Sequence, residues 1–133
     1  LPRLARGQYW GMFGEVDIAL DPFPYTGGAT TCDSLWMGLP VVTLAGSFGF
    51  GRSGTTVLAN AGLADLVAVD ERHYLDIAVR LAGAEPALAG LRRGMRERLA
   101  RSPLLDAPRF AGALEQLYRE AWRRAVGETR ASC

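Results

Sequence analysis

The 133-residue chain carries 15 Lys and Arg against 14 Asp and Glu, a net charge of +1 that gives no electrostatic basis for binding nucleic acid or a membrane surface. Its hydrophobic fraction of 49% is enough for one buried core. No apolar run approaches the roughly 20 residues of a membrane span. The two cysteines, Cys32 and Cys133, match neither a disulfide framework nor a metal site, so we expect no metal and a reducing, cytoplasmic location.

Three short apolar segments are predicted as strands. Residues 15–21 alternate apolar and polar side chains and stop at Pro22, which is typical of a strand. Residues 41–44 form a continuous β-branched run, as expected for a strand covered on both faces. Residues 66–69 are the third apolar segment.

Helical patterns separate and follow these strands. The first predicted helix begins near Thr30 or Thr31 and ends at Gly38. The further predicted helices cover residues 55–61, residues 73–81, a segment from Glu85 to Pro103, and a last segment from Pro108 to about Val126.

The order of these elements predicts an α/β fold. Strands alternating with helices indicate a parallel sheet with helices on its faces, and a helical C-terminus follows. A doubly wound domain has about six strands, so we interpret residues 1–126 as the C-terminal half of a Rossmann-like domain and residues 127–133 as a disordered tail. The first strand lacks a partner on one side, so we expect the chain to need a missing N-terminal half or a second copy.

The segment from Asp21 to Asp33 carries the functional signal. It joins the end of a parallel strand to a helix N-terminus, which is where open α/β sheets bind ligands and where free N–H groups attract phosphate. Gly27 and Gly28 let the backbone approach an anion, Thr30 and Thr31 add hydroxyl groups, and Asp33 is placed to accept hydrogen bonds from a ribose diol.

The same residues also fit a purely structural interpretation. A tight turn followed by a threonine cap, with Asp33 as a favourable first-turn charge, needs no ligand. The spacing alone leaves these alternatives open, because the segment is neither a Walker loop nor a dinucleotide G-x-G-x-x-G pattern.

Several motifs resemble the O-linked N-acetylglucosamine transferase family, in particular its bacterial and SPINDLY-type members. Residues 17–46 are similar to the family signature, and Arg52 falls in the family's S-R position. Residues 60–68 resemble its G-L-x-x-L-V-A segment, and residues 101–122 resemble its S-P-L-F-D ending. The resemblance covers nearly the whole chain from about Val16 onwards.

The resemblance implies a GT-B glycosyltransferase that holds UDP-GlcNAc in its C-terminal domain. It implies an inverting, metal-independent transfer to Ser or Thr of an acceptor protein, with no cofactor beyond the donor. The implied nucleotide-binding positions are Gly27, Gly28, Ala29, Thr30, Thr31 and Asp33.

The chain also departs from the family. Relatives often carry Thr or His–Thr where this chain has Gly28 and Ala29, and some relatives carry a Lys and a His where it has Arg6 and Tyr9. Arg6 is therefore a candidate phosphate contact. The resemblance places the catalytic lysine and the acceptor-binding residues upstream of Leu1, so no catalytic residue is assigned and the chain is expected to be inactive alone.

Two other functions stay open at the level of sequence. The chain fits a non-catalytic GT-B-like module for protein interaction, and it fits a GT-B transferase that uses another sugar nucleotide, such as UDP-glucose or GDP-fucose.

His73 is interpreted as a surface residue at a helix start rather than a catalytic base. The arginines of residues 92–101 are interpreted as a solvated helix face, and Phe48 and Phe50 as lining a sugar pocket or contacting missing sequence.

Overall fold

The computed structural model describes residues 5–131, with side chains for residues 5–127. Its three strands form one parallel sheet in the order β1 (Ala19–Leu20), β2 (Val41–Leu44) and β3 (Val67–Ala68). β2 lies in the centre, pairing with both neighbours. The predicted α/β architecture with a parallel sheet is confirmed.

The described part of the chain contains six helices, of which α2, α3 and α4 contact the strands directly. Short 3-10 turns lead into β3 and α6. The helices are α1 (Arg6–Gly11), α2 (Ala29–Trp36), α3 (Ser53–Asn60), α4 (Glu71–Ala82), α5 (Glu85–Ala100) and α6 (Ala107–Ala131).

The core lies between the sheet and helices α2 to α5. Val42 of β2 and Leu58 of α3 are completely buried, and Ile77 of α4 and Met95 of α5 are 1% exposed. Because β2 is covered on both faces, its run of β-branched residues reflects burial rather than alternation. Gly38 and Gly62, which follow α2 and α3, have positive φ angles of 81° and 71°, so glycine permits the chain to turn out of each helix there.

The arginines of α5 have structural contacts that the interpretation as a solvated face missed. Arg96 donates through Nε to the carbonyl oxygen of Trp36 at 3.0 Å, and its guanidinium lies 5.1 Å from the Trp36 ring centre. Arg98 donates to the carbonyl oxygen of Gly62 at 2.9 Å. These contacts put positive charge at the C-terminal ends of α2 and α3, where helix carbonyls lack partners.

The N-terminal region differs from the prediction. β1 is limited to Ala19–Leu20 instead of residues 15–21, because only one edge of this strand is paired and Val16 is 45% exposed. Helix α1 was not predicted, since the polar segment that forms it has no apolar periodicity.

The remaining differences concern the ends of elements, and β3 is limited to Val67–Ala68 instead of residues 66–69. Asp70 caps α4 by accepting from the His73 backbone N–H at 2.7 Å, so α4 begins two residues before the predicted start at His73. His73 lies in the first turn, and its Nδ1 accepts from the Val69 N–H at 3.4 Å. Helix α6 continues to Ala131, past the predicted end near Val126. The last two residues of the predicted tail, 132–133, lie outside the described residues.

Candidate functional site

Two helix N-termini meet at the carboxyl edge of the sheet. The loop after β1 leads into α2 at Gly28, and the loop after β2 leads into α3 at Arg52. Since the two strands are parallel, both loops lie at the same edge. A Cβ added to Gly28 would lie 3.9 Å from the Ser53 Cβ, so the starts of α2 and α3 are adjacent.

The buried carboxylate of Asp21 holds the loop in place. Its Oδ1 accepts from the Gly27 N–H at 2.7 Å, and its Oδ2 accepts from the Thr43 hydroxyl at 2.8 Å. The backbone oxygen of Asp21 accepts from the Tyr74 hydroxyl at 3.0 Å. Burial raises the pKa of the Tyr74 hydroxyl, and the charge of Asp21 adds to the effect. The site therefore contains a structural carboxylate that the sequence analysis did not identify, although an acid ending an apolar strand is a visible signal.

Thr26 connects the loop to the start of α3. Its hydroxyl accepts from the Gly54 N–H at 3.3 Å and donates to the Phe50 carbonyl at 3.2 Å. This arrangement ties the Asp21–Gly28 loop to the second loop, so the two backbone segments that frame the site are held together by direct hydrogen bonds.

Neither N-cap residue caps its helix through a side chain: Gly28, before α2, has none, and the Arg52 side chain makes no cap hydrogen bond to α3. The Thr26 hydroxyl accepts from one amide in the first turn of α3, the Gly54 N–H, whereas no side chain among the described residues accepts from the first amides of α2. The first N–H groups of a helix have no acceptor within it, and they carry a partial positive charge. The edge of the sheet can thus bind an anion with backbone donors.

The predicted site residues fall into different environments. Thr30 is exposed at the start of α2, whereas the Thr31 side chain is 2% exposed. A Cβ on Gly27 would lie 2.7 Å from both threonine hydroxyls, so the loop requires glycine there. Asp33 is half-buried one turn further along.

Asp33 has a partner in a different helix. The Tyr9 hydroxyl donates to Asp33 Oδ2 at 2.8 Å, which connects α1 to α2. Arg6 lies on α1, one turn before Tyr9, where it is exposed and forms no ion pair with any described residue. The structure therefore places the loop glycines next to Ala29 and Thr30. A hydrogen bond connects Asp33 to α1, the helix that carries Arg6.

Aromatic side chains line the outer part of the second loop. Phe50 stacks on Tyr25 with ring centres 4.7 Å apart and on Phe48 at 5.7 Å. All three rings are substantially exposed, with Phe50 at 49%. Phe48 and Phe50 border a groove of about 180 Å³ beside the end of β2.

The one described cysteine is not arranged as a nucleophile. Cys32 is free and half-buried on α2, and burial raises the pKa of its thiol, with a further contribution from the charge of Asp33. A raised pKa keeps the thiol protonated and unreactive near neutral pH. Cys133 lies outside the described residues.

The fold and the loop define an α/β half-domain with a candidate anion site at its sheet edge, and comparisons with known proteins identify the family. The model of glycosyl transferase family 41 matches residues 6–114. The chain belongs to this family. No helix within residues 5–131 combines the length and the apolar content needed to cross a membrane.

Plant and animal proteins are similar to this chain in sequence. The probable UDP-N-acetylglucosamine–peptide N-acetylglucosaminyltransferase SPINDLY of Petunia hybrida is 46% identical over 84% of this chain, and that of Arabidopsis thaliana is 45% identical over the same share. The UDP-N-acetylglucosamine–peptide N-acetylglucosaminyltransferase of Caenorhabditis elegans is 32% identical over 82% of the chain. The chain spans only 12% of the length of the two plant relatives and 10% of that of the animal one.

A solved structure extends the likeness to three dimensions. A mutant form of the Thermobaculum terrenum O-GlcNAc transferase superposes with a TM-score of 0.85 at 38% identity. The match covers 94% of this chain and 24% of that protein. The predicted fold class, the C-terminal half of a Rossmann-like GT-B domain, is confirmed.

Proposed function

We propose that this chain is the nucleotide-sugar-binding part of a protein O-GlcNAc transferase and that it holds UDP-GlcNAc. The observation that carries the proposal is the N-terminus of α2, whose first amides have no side-chain acceptor among the described residues, beside Gly27 and Gly28 and next to the start of α3 at the carboxyl edge of the sheet. The names of the relatives supply the donor, because they are UDP-N-acetylglucosamine-dependent peptide transferases.

The diphosphate of the donor binds at the start of α2. The backbone N–H groups of Ala29, Thr30 and Thr31 lie in the first turn and are free of helical acceptors. The exposed Thr30 hydroxyl adds a side-chain donor. An amide from Ala29 replaces the side-chain hydroxyl that relatives offer at this position, so the departure from the family pattern does not remove the anion site.

The ribose binds at Asp33. Its carboxylate accepts hydrogen bonds from the ribose diol, one helical turn beyond the diphosphate donors. Arg6, exposed on α1, contributes a permanent positive charge near the nucleotide.

The transfer itself needs residues beyond this chain. The acceptor Ser or Thr oxygen forms a bond to the anomeric carbon, the bond from that carbon to the β-phosphate oxygen breaks, and UDP leaves with the electron pair. The hydroxyl proton goes to a base outside the chain, and the configuration inverts. The helix N-termini stabilise the charge that develops on UDP, which is the task a metal performs in other transferases. The chain has no Asp-x-Asp motif, in agreement with metal-independent transfer without a cofactor.

Calorimetric titration of UDP into the chain tests the proposal. We expect binding that Thr30→Ala and Asp33→Ala each weaken by about tenfold or more, because each change removes hydrogen bonds to a charged partner. The matched control is Asp76→Ala, which removes an exposed carboxylate from α4 and should leave UDP affinity unchanged.

Two outcomes of this titration would contradict the proposal. A folded chain that shows no heat of binding at millimolar UDP does not act as the donor site. Equal losses in all three variants would mean that a general loss of structure, rather than a change in this loop, lowers the affinity.

A further inference from the structure

Tyr9 is the side chain that fixes the position of Asp33. Its hydroxyl donates to Asp33 Oδ2 at 2.8 Å across 24 residues of sequence. The bond is partly buried, so water competes with it less than at an open surface.

The tyrosine ring is itself held in place. It meets Trp10 edge-to-face with ring centres 5.1 Å apart and Phe13 edge-to-face at 5.2 Å. Phe13 is only 4% exposed, which fixes one side of this aromatic cluster in the protein interior. A ring restrained on two sides directs its hydroxyl to one place, so the hydrogen bond restricts the rotamer of Asp33.

The hydrogen bond leaves Asp33 with capacity for a ligand. An ionised carboxylate has about four acceptor positions on its two oxygens, and Tyr9 uses one of them, on Oδ2. Oδ1 has no hydrogen-bond partner among the described residues. Burial raises the pKa of the Tyr9 hydroxyl, with further contributions from the hydrogen bond to Asp33 and the charge of Asp33, so the hydroxyl remains a donor across the neutral pH range.

We propose that Tyr9 is a positioning residue for nucleotide recognition: its hydroxyl holds the Asp33 carboxylate so that the second oxygen accepts from the ribose diol of the donor. The inference rests on the proposed function and adds a residue to the site from a separate helix. It also explains how a chain with tyrosine at this position organises its ribose contact, since the hydroxyl acts through Asp33 and not on the diphosphate.

The test is a Tyr9→Phe variant, which keeps the ring and removes only the hydroxyl. UDP and its 2′,3′-dideoxyribose analogue are titrated into the wild-type chain and the variant. We expect Tyr9→Phe to weaken UDP binding by about tenfold, the effect of one hydrogen bond to a charged group. Binding of the dideoxy analogue should not change, because that ligand has no diol for Asp33 to bind.

Two further variants separate this role from a general loss of structure. Tyr118→Phe removes an exposed hydroxyl from α6 and should leave both affinities unchanged. The double variant Tyr9→Phe/Asp33→Asn should bind UDP as weakly as Asp33→Asn alone, since Tyr9 acts only through the carboxylate.

The outcomes distinguish the inference from the proposed function. If Asp33→Asn weakens UDP binding and Tyr9→Phe does not, or if Tyr9→Phe weakens both ligands equally, the positioning role is wrong and the nucleotide site stands. If the folded wild-type chain binds no UDP, the nucleotide site is wrong and the positioning role is overturned with it.

Discussion

At the scale of single residues, the hydroxyls of Thr43 and Thr55 have opposite environments. Thr43 is completely buried and donates to the buried Asp21 carboxylate. The Thr55 Oγ1 atom is also buried, but it has no hydrogen-bond partner among the described residues. A buried hydroxyl without a partner costs desolvation energy, whereas one that satisfies a buried carboxylate stabilises the fold.

This contrast predicts opposite effects for the same substitution. Thr43→Val should lower the free energy of unfolding by about 1–3 kcal/mol, because it leaves a buried carboxylate oxygen short of a donor. Thr55→Val should leave stability unchanged or raise it by up to about 1 kcal/mol, since it removes a polar atom that has no partner. Urea unfolding of both variants measures the difference. A larger loss for Thr55→Val than for Thr43→Val would contradict the role given to Asp21.

The sequence predicts site residues that lie close together along the chain, but it misses a contact between residues that lie far apart in it. Gly27, Gly28 and Thr30 were identifiable because loop glycines and cap residues act within a few positions of each other. The contact between Tyr9 and Asp33 was not, because it joins residues 24 apart through a helix without an apolar pattern. The structure shows where these side chains lie, and ligand binding at each of them stays a prediction.

At the scale of elements, the start of α3 is packed against the carboxylate that organises the site. A Cβ on Gly54 would lie 2.4 Å from Asp21 Oδ2 and 2.6 Å from the Thr43 hydroxyl. Glycine usually weakens a helix, so its place here reflects this close approach of α3 to β1 and β2. Gly90 in α5 offers a comparison, because nothing lies within 4 Å of a Cβ added there.

Alanine should therefore act in opposite directions at these glycines. Gly90→Ala should raise the free energy of unfolding by about 0.5–1 kcal/mol through helix propensity alone. Gly54→Ala should lower it by about 1–3 kcal/mol, because buried polar atoms must move away from the new methyl group. Thermal melts of the two variants provide the measurement, and stabilisation by Gly54→Ala would show that α3 does not pack this closely.

Elements were predictable where their signal is local and strong. β2 and the long helices α4 and α5 follow from continuous or periodic apolar residues, and the structure reproduces them within three residues. β1 is shorter than its alternating pattern indicates, because strand length depends on a neighbouring strand as well as on the pattern. α1 is held to the rest of the fold by Phe13 and the bond to Asp33, which no local pattern reveals.

At the scale of the whole molecule, α6 leaves an apolar stripe uncovered. Within the described residues it packs mainly against the turn Pro103–Leu105. Phe110 is 67% exposed, Leu117 is 61% exposed and Trp122 is 71% exposed, all on this one helix. One edge of β1 also has no partner strand within residues 5–131. Exposed apolar stripes and open strand edges favour association.

We therefore expect the chain to associate in solution as its concentration rises. Light scattering during size-exclusion chromatography should show an increasing mass, and Leu117→Ser with Trp122→Ser should reduce the increase. Val79→Ser is the control, because it removes an equally exposed apolar side chain, 71%, from α4. A monodisperse monomer with a cooperative melt would show that the chain needs no partner surface.

Two arginines of α5 offset the negative charge at the C-terminal ends of α2 and α3, the two short helices of the site. Arg96 and Arg98 cover the negative poles of α2 and α3, while at the loop the positive pole of α2 has no side-chain acceptor among the described residues and that of α3 has Thr26. Guanidinium groups stay charged at any physiological pH, so this compensation is constant. The attraction of the loop for a phosphate group is thus built into the permanent polarity of the backbone, and it does not depend on a side chain that gains or loses a proton.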